Sequence, residues 1–208
     1  MTNATQRADY SVGQKILHWL IALAIMLDLF IAQKFSGMMT DVDRFESRSD
    51  HASLGTIVAI LFVIRLYLRW RNGAPALPAE MPHWQKKLSH FAHWALYILI
   101  GTLIVTGISS AINANSVVTP FGLFAFGDGT GSGFIFYFFR GLHELATNLI
   151  IVLIILHILG ALYHLIIVRD GVTIDVTNGT FINRDNATGA FSGIEAFELS
   201  EGADHFIG

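Results

Sequence analysis

The chain has 208 residues, a formal net charge of -3 and a mean hydropathy of +0.54; 53% of its residues are hydrophobic and 14% charged. A soluble globular domain carries about 25% charged residues, so this composition describes an integral membrane protein. The absence of cysteine excludes disulfides, thiolate-bound zinc, iron–sulfur clusters and covalently attached c-type haem, and no basic run or motif points to nucleic acid.

Four apolar stretches approach the length of about 20 residues that a bilayer requires. The first covers residues 15–32. Lys15 ahead of an apolar run resembles a signal peptide, but Asp28 interrupts the run and no small-residue cleavage site follows, so it is read as a helix. The next connection carries Asp41, Asp43, Glu46 and Asp50 and is read as an outer loop. The second span covers 51–70 and the third 88–112, separated by a segment with Pro75, Pro78 and Pro82 that cannot continue a helix. The Gly- and Phe-rich segment 113–139 reads as an interfacial outer loop with its aromatics at headgroup level. The fourth span covers 141–168. Beyond it, VTIDVTNGTFINR reads as a weak hairpin around Thr177-Asn178-Gly179, and the rest as flexible. The expected fold is an all-α membrane protein: a four-transmembrane-helix bundle over residues 1–170, with a short cytoplasmic C-terminal tail over 171–208.

Cation placement orients the bundle. Arg7, Lys15, Arg65, Arg69, Arg71, Lys86, Lys87 and Arg169 fall on one side, against Lys34, Arg44, Arg48 and Arg140 on the other. Eight against four places both termini in the cytoplasm of a bacterial inner membrane. His143 and His157, on the fourth span, are 14 residues apart. That spacing is within roughly 40° of four full helical turns and rises about 21 Å, so both imidazoles face one side at two depths. The first helix runs outward and puts His18 near the cytoplasmic surface. The second runs inward and puts His51 near the outer one. Two cross-helix pairs follow, His51 with His143 outside and His18 with His157 inside. Polar side chains in lipid are costly and usually functional, and axial histidine pairs hold b-type haem between bundle helices. The expectation is two haem b groups, with these four histidines as axial iron ligands.

Arg65 lies 14 residues after His51 and so faces the same way at the inner level. It pairs with a haem propionate or snorkels to the interface; Arg69 has the same two options. His90, His93 and His164 sit near the cytoplasmic ends of the third and fourth spans. They contact propionates, line a quinone pocket, or are simply interfacial, and His93 is an alternative to His18 as a ligand. His83 and His205 read as solvent residues. Asp28 relays protons or pairs with a polar neighbour. Gly101 and Gly107 suit close helix packing or a flat macrocycle face. His143-Glu144 starts a metalloprotease motif, but Thr147 stands where its second histidine belongs.

The segments KILHWLIAL, HASLG, VIRLYLRW, PALPAEMPHWQKKLSHFAHWALY, GLHELATN and LHILGALYHLIIVRDG together resemble the bacterial cytochrome b561 family over roughly residues 8–172. That family is also similar to the cytochrome b subunits of membrane hydrogenases and formate dehydrogenases. The resemblance implies a four-helix bundle with His18 and His157 on one haem and His51 and His143 on the other, together with quinone exchange. One class of members oxidises superoxide at the outer face and reduces ubiquinone. Ala52 stands where relatives often have Lys, Leu165 where a second His often follows His164, and the tail has no counterpart. The outer side carries Asp41, Asp43, Glu46, Asp50, Asp128 and Glu144 against four cations, whereas an anion such as superoxide is steered by a positive mouth.

The leading functional expectation is an electron-transfer cytochrome b of the respiratory chain, an oxidoreductase linking the quinone pool to an outer-face donor or acceptor. A second is a non-catalytic subunit of a larger respiratory complex, docking a protein partner through residues 113–139 or 171–208. A third is a superoxide:ubiquinone oxidoreductase. A fourth, from another class, is a small transporter moving protons through Asp28 and the histidines.

Overall fold

The computed structural model describes residues 10–33, 41–75, 77, 81–164 and 166, with four short strands beyond them. Four helices follow in chain order: α1 Val12–Gln33, α2 Asp41–Asn72, α3 His83–Ile112 and α4 Gly133–Tyr163. All are long and apolar enough to cross a membrane, α2 through Glu46–Asn72. The membrane part is therefore the expected all-helical four-span bundle.

Each helix starts earlier than hydrophobicity indicates, for local reasons. Ser11 and Gln14 form a capping box: the Gln14 N–H donates to Ser11 Oγ at 3.3 Å, and the Ser11 N–H donates to Gln14 Oε1 at 3.2 Å. α2 begins at Asp41 because nothing between 41 and 51 breaks a helix. Asp41, Asp43, Glu46 and Asp50 thus stand on a helix, not in the expected loop. Its 32 residues span about 48 Å, well beyond a hydrocarbon core of about 30 Å, and the polar first turns extend outside it. Pro82 precedes α3 and, with φ -55° and ψ 144°, caps it in the extended conformation favoured before a first turn. α4 takes in the aromatic run from Phe134 to Phe139 that composition assigned to a loop. Its α-helical form ends at Tyr163, with His164 and Ile166 in π conformation; the expected end at 168 lies outside the described residues.

α1 packs along α2, and α3 along α4. The two hairpins touch each other through a short α2–α3 contact. Among the described residues, no Cα of α4 comes within 8 Å of one on α1 or α2. The small core lies inside: Ile21 and Ala24 of α1, Val58 and Phe62 of α2, Thr106 of α3, Ala146 and Ile150 of α4. Large apolar side chains such as Trp19, Phe30, Val105 and Leu149 cover the outside, where lipid is as apolar a solvent as they are. Hydroxyls inside the spans donate back one turn: Thr56 to Ala52 O, Thr102 to Ile98 O, Ser110 to Thr106 O. Lipid offers them no other acceptor.

The rest of 113–139 folds back over the outer end of the bundle. Ala114, Val118 and Pro120 are buried. Phe126 N–H donates to Val118 O at 2.8 Å, and Phe121 N–H to Ser53 Oγ on α2 at 2.7 Å. The glycines permit this. Gly127 has φ +76°, and a Cβ there would overlap the Ile112 carbonyl; one at Gly131 would overlap that of Asn113. Thr130 donates through its hydroxyl and its N–H to Asp128, holding that carboxyl below the usual carboxylate range. Leu123, Phe121 and Phe124 remain exposed, as interfacial aromatics do. In the tail, Thr173–Asp175 (β1) pairs antiparallel with Thr180–Ile182 (β2), which pairs with Thr188–Ala190 (β3); His205–Ile207 (β4) joins β1 in parallel. The turn at Thr177-Asn178-Gly179 lies outside the described residues.

Candidate metal-ligating histidine pairs

The gap between the hairpins is bridged by histidine side chains at two levels. At the outer level the rings of His51 on α2 and His143 on α4 lie with centroids 6.0 Å apart and planes at 89°. At the inner level His18 on α1 and His157 on α4 lie 6.3 Å apart at 67°. His93 on α3 also reaches His157, at 5.7 Å and 80°. The structure thus brings together both predicted pairs and makes the inner level a group of three rings. A metal about 2 Å from one nitrogen of each of two facing imidazoles separates their centroids by roughly 6 Å.

Hydrogen bonds decide which ring nitrogen is left to act as a ligand. Thr106 Oγ1, 4% exposed on α3, donates to Thr102 O at 2.7 Å and lies 3.0 Å from His143 Nδ1. The hydroxyl proton is committed to the carbonyl, so Nδ1–H of His143 is the donor and Nε2 keeps its lone pair. His51 Nδ1 stands 2.8 Å from Oδ1 of Asp28, both atoms shut off from solvent, with the oxygen off the N–H axis. With Nδ1 turned to Asp28, Nε2 is the atom a metal would take. His93 Nδ1 donates to Ser89 O at 2.7 Å. Such outer partners fix tautomer and ring direction in metal-binding histidines.

The outer pair lines a cavity of about 670 Å3, with Asp28, Gly55, Gly107 and Ile150 on its walls, within the usual range of about 300–1,000 Å3 for cofactor pockets. The folded-back loop roofs it with Ala114, Val118 and Phe126. A Cβ at Gly107 would stand 3.2 Å from His143 Cε1, so this glycine admits the ring; Gly101 faces Phe62 at an ordinary 3.9 Å. Arg48, Arg140 and Glu144 stand at the cavity edge. Arg140 Nε pairs with Glu144 at 2.9 Å one turn on, and Arg48 donates to Ser116 Oγ at 3.3 Å. Among the described residues, no three His, Asp or Glu side chains gather to hold a bare ion. Two neutral nitrogens facing across a roofed, mainly apolar space suit a metal that brings its own equatorial ligands, and haem is such a group.

At the inner level Arg65 Nη1 donates to the Gln14 carbonyl at 3.0 Å, one turn before His18. Arg69 Nη1 donates to Tyr10 Oη at 3.1 Å. Gln14 Nε2 reaches Gly73 O at 3.3 Å, tying α1 to the end of α2. His164 is half-buried with its ring edge-on to Tyr163. His90 and His83 are exposed. Thr147 donates to His143 O at 2.8 Å. Sequence reasoning missed Thr106, because a hydroxyl 37 residues from its histidine leaves no local signal, and left the partner of Asp28 open.

Residues 9–179 match the prokaryotic cytochrome b561 family. The chain is also 24% identical over 161 residues to the probable superoxide oxidase CybB of Yersinia pestis, covering 77% of this chain and 91% of that protein. The chain belongs to the prokaryotic cytochrome b561 family. It is a multi-pass membrane cytochrome b with an electron-transfer role, and that membership implies binding of haem b.

Thr106→Val keeps the volume of the side chain and removes the hydroxyl partner of His143 Nδ1–H, leaving the Leu103 carbonyl. The expected cost is about 1 kcal/mol for the lost hydrogen bond, read as a lower unfolding midpoint in mixed detergent micelles. Thr106→Ser, which keeps the oxygen, should recover most of it.

Proposed function

We propose that this chain is a di-haem cytochrome b that passes electrons across the bacterial inner membrane, between the quinone pool and a donor or acceptor on the outer side. The observation that carries this reading is the pair of histidine levels on one face of α4, each meeting a ring from the opposite hairpin across an unpacked gap. Ring spacing alone is also compatible with plain edge-to-face contact. The partners on Nδ1 of His143 and beside Nδ1 of His51 favour ligation. His51 and His143 hold the outer haem, and His18 and His157 the inner one. Haem, when bound, supplies one-electron chemistry; the chain ligates it, orients the ligand rings and keeps water out. Arg65, close to His18 and already turned into the bundle, is assigned to an inner propionate. His93, His164 and Arg69 are assigned to the quinone end of the bundle.

Purified protein should give a reversible b-type visible spectrum with two haems per chain. Removing His143 or His157 should each cost one haem. His18→Ala should also cost the inner haem, whereas His93→Ala should keep it; the reverse result would make His93 the ligand. A preparation without haem would favour the transporter reading.

A second reading, superoxide-driven reduction of quinone, is favoured by the similarity to the probable superoxide oxidase of Yersinia pestis. A superoxide-generating system should then reduce quinone through the protein, at a rate that falls with ionic strength if the edge arginines Arg48 and Arg140 guide the anion. A rate insensitive to superoxide leaves the quinone-linked conduit alone.

Both termini are assigned to the cytoplasm. Because the chain has no cysteine, single cysteines can report on sidedness. Asn115→Cys should react with a membrane-impermeant maleimide in spheroplasts, and His83→Cys only after lysis. The opposite pattern would invert the topology.

A further inference from the structure

We propose that Asp28 is a positioning residue that holds His51 through Nδ1 and lowers the reduction potential of the outer haem. This rests on the two-haem reading above and extends it to a residue that supplies no ligand. Asp28 sits well inside α1, its side chain only 15% exposed, with Oδ1 2.8 Å from His51 Nδ1. A carboxylate inside an apolar span is expensive unless something offsets it. Its other oxygen, Oδ2, lies over Gly55, where an added Cβ would stand 3.8 Å away. That is an ordinary contact distance, so the carboxylate lies against α2 one turn beyond His51. The two cations at the cavity edge are engaged elsewhere, Arg140 with Glu144 and Arg48 with Ser116.

The consequence is electrostatic. A carboxylate on the far nitrogen of a ligating imidazole raises the basicity of the ring. It also places a negative charge near the iron in a medium that screens poorly. Ferric haem carries one more positive charge than ferrous, so both effects favour the ferric form and lower the potential. The opposing ligand, His143, faces neutral partners, the Thr106 hydroxyl and the Leu103 carbonyl. The inner rings have Arg65 nearby on Gln14 O instead. The influence of Asp28 should therefore be confined to one haem.

The test uses purified holoprotein with Asp28 and with Asp28→Asn, each alone and combined with His157→Ala so that the outer haem is observed by itself. Potentiometric titration of the visible spectrum and low-temperature EPR of the ferric state are the readouts. Asp28→Asn should keep both haems and change the EPR signature of the outer one. It should also raise the outer potential, by about tenfold in the ferric/ferrous equilibrium, about 59 mV for one electron. The inner haem should not move. Asp28→Glu should return the outer potential towards its original value. Loss of the outer haem alone in Asp28→Asn, with retention in Asp28→Glu, also supports the assignment. An unchanged outer potential and EPR signature, or an equal shift in both haems, overturns the role of Asp28 and leaves the two-haem reading standing. A starting protein that purifies without haem sinks both.

Discussion

A bilayer supplies no hydrogen bonds, so a polar ring inside it must find its partner on the protein. Every feature of this bundle that bears on function follows from how α4 meets that demand. His143 and His157 lie on one face of a helix whose backbone stays clear of α1 and α2. Their counterparts reach them from the opposite hairpin by side chains alone. A bundle of mutually packed helices would have closed that space with apolar contacts. Here two tightly paired hairpins meet only through a short α2–α3 contact and the loop after α3, and histidine rings enter the space between them at two depths.

The rings are held from behind. Thr106 fixes His143, Asp28 stands against His51, and the Ser89 carbonyl fixes His93. Two of these partners come from the neighbouring helix of the same hairpin and the third from the preceding turn of α3, so the ring directions depend on the register of the helices within each hairpin. The capping box at Ser11 and Gln14, with the Gln14 amide on Gly73 O, sets part of that register by locking the start of α1 to the end of α2. At the other end, the loop after α3 reaches across to Ser53 on α2 and roofs the outer cavity. One segment thereby lines the outer cavity and ties the α3–α4 hairpin to α2.

Family membership implies haem b, and the geometry brings histidine rings together at two levels. Membership of the prokaryotic cytochrome b561 family accounts for a membrane cytochrome b with an electron-transfer role. The physical account adds why those rings, and not His83 or His90, are placed to matter: the latter two are exposed, with no ring of a second helix against them among the described contacts. Asp28 belongs to the physical account only.

Much of this was legible in the residues. Hydrophobic length marked the spans, and helical rise placed the histidines at two depths, because in lipid a helix is nearly the only backbone solution and its geometry is fixed. Even Asp28 carried a signal: it follows His18 by ten residues, about 15 Å outward, near the level of His51. Helix starts were misread because hydropathy records where lipid begins, whereas caps and the absence of breakers decide where a helix begins. The loop over the outer cavity and the Thr106 contact were not legible at all. Both join residues far apart in the chain, and only the packing of helix against helix sets such distances. The residue pattern determined which side chains share a face and a depth; the tertiary structure decided which of them touch.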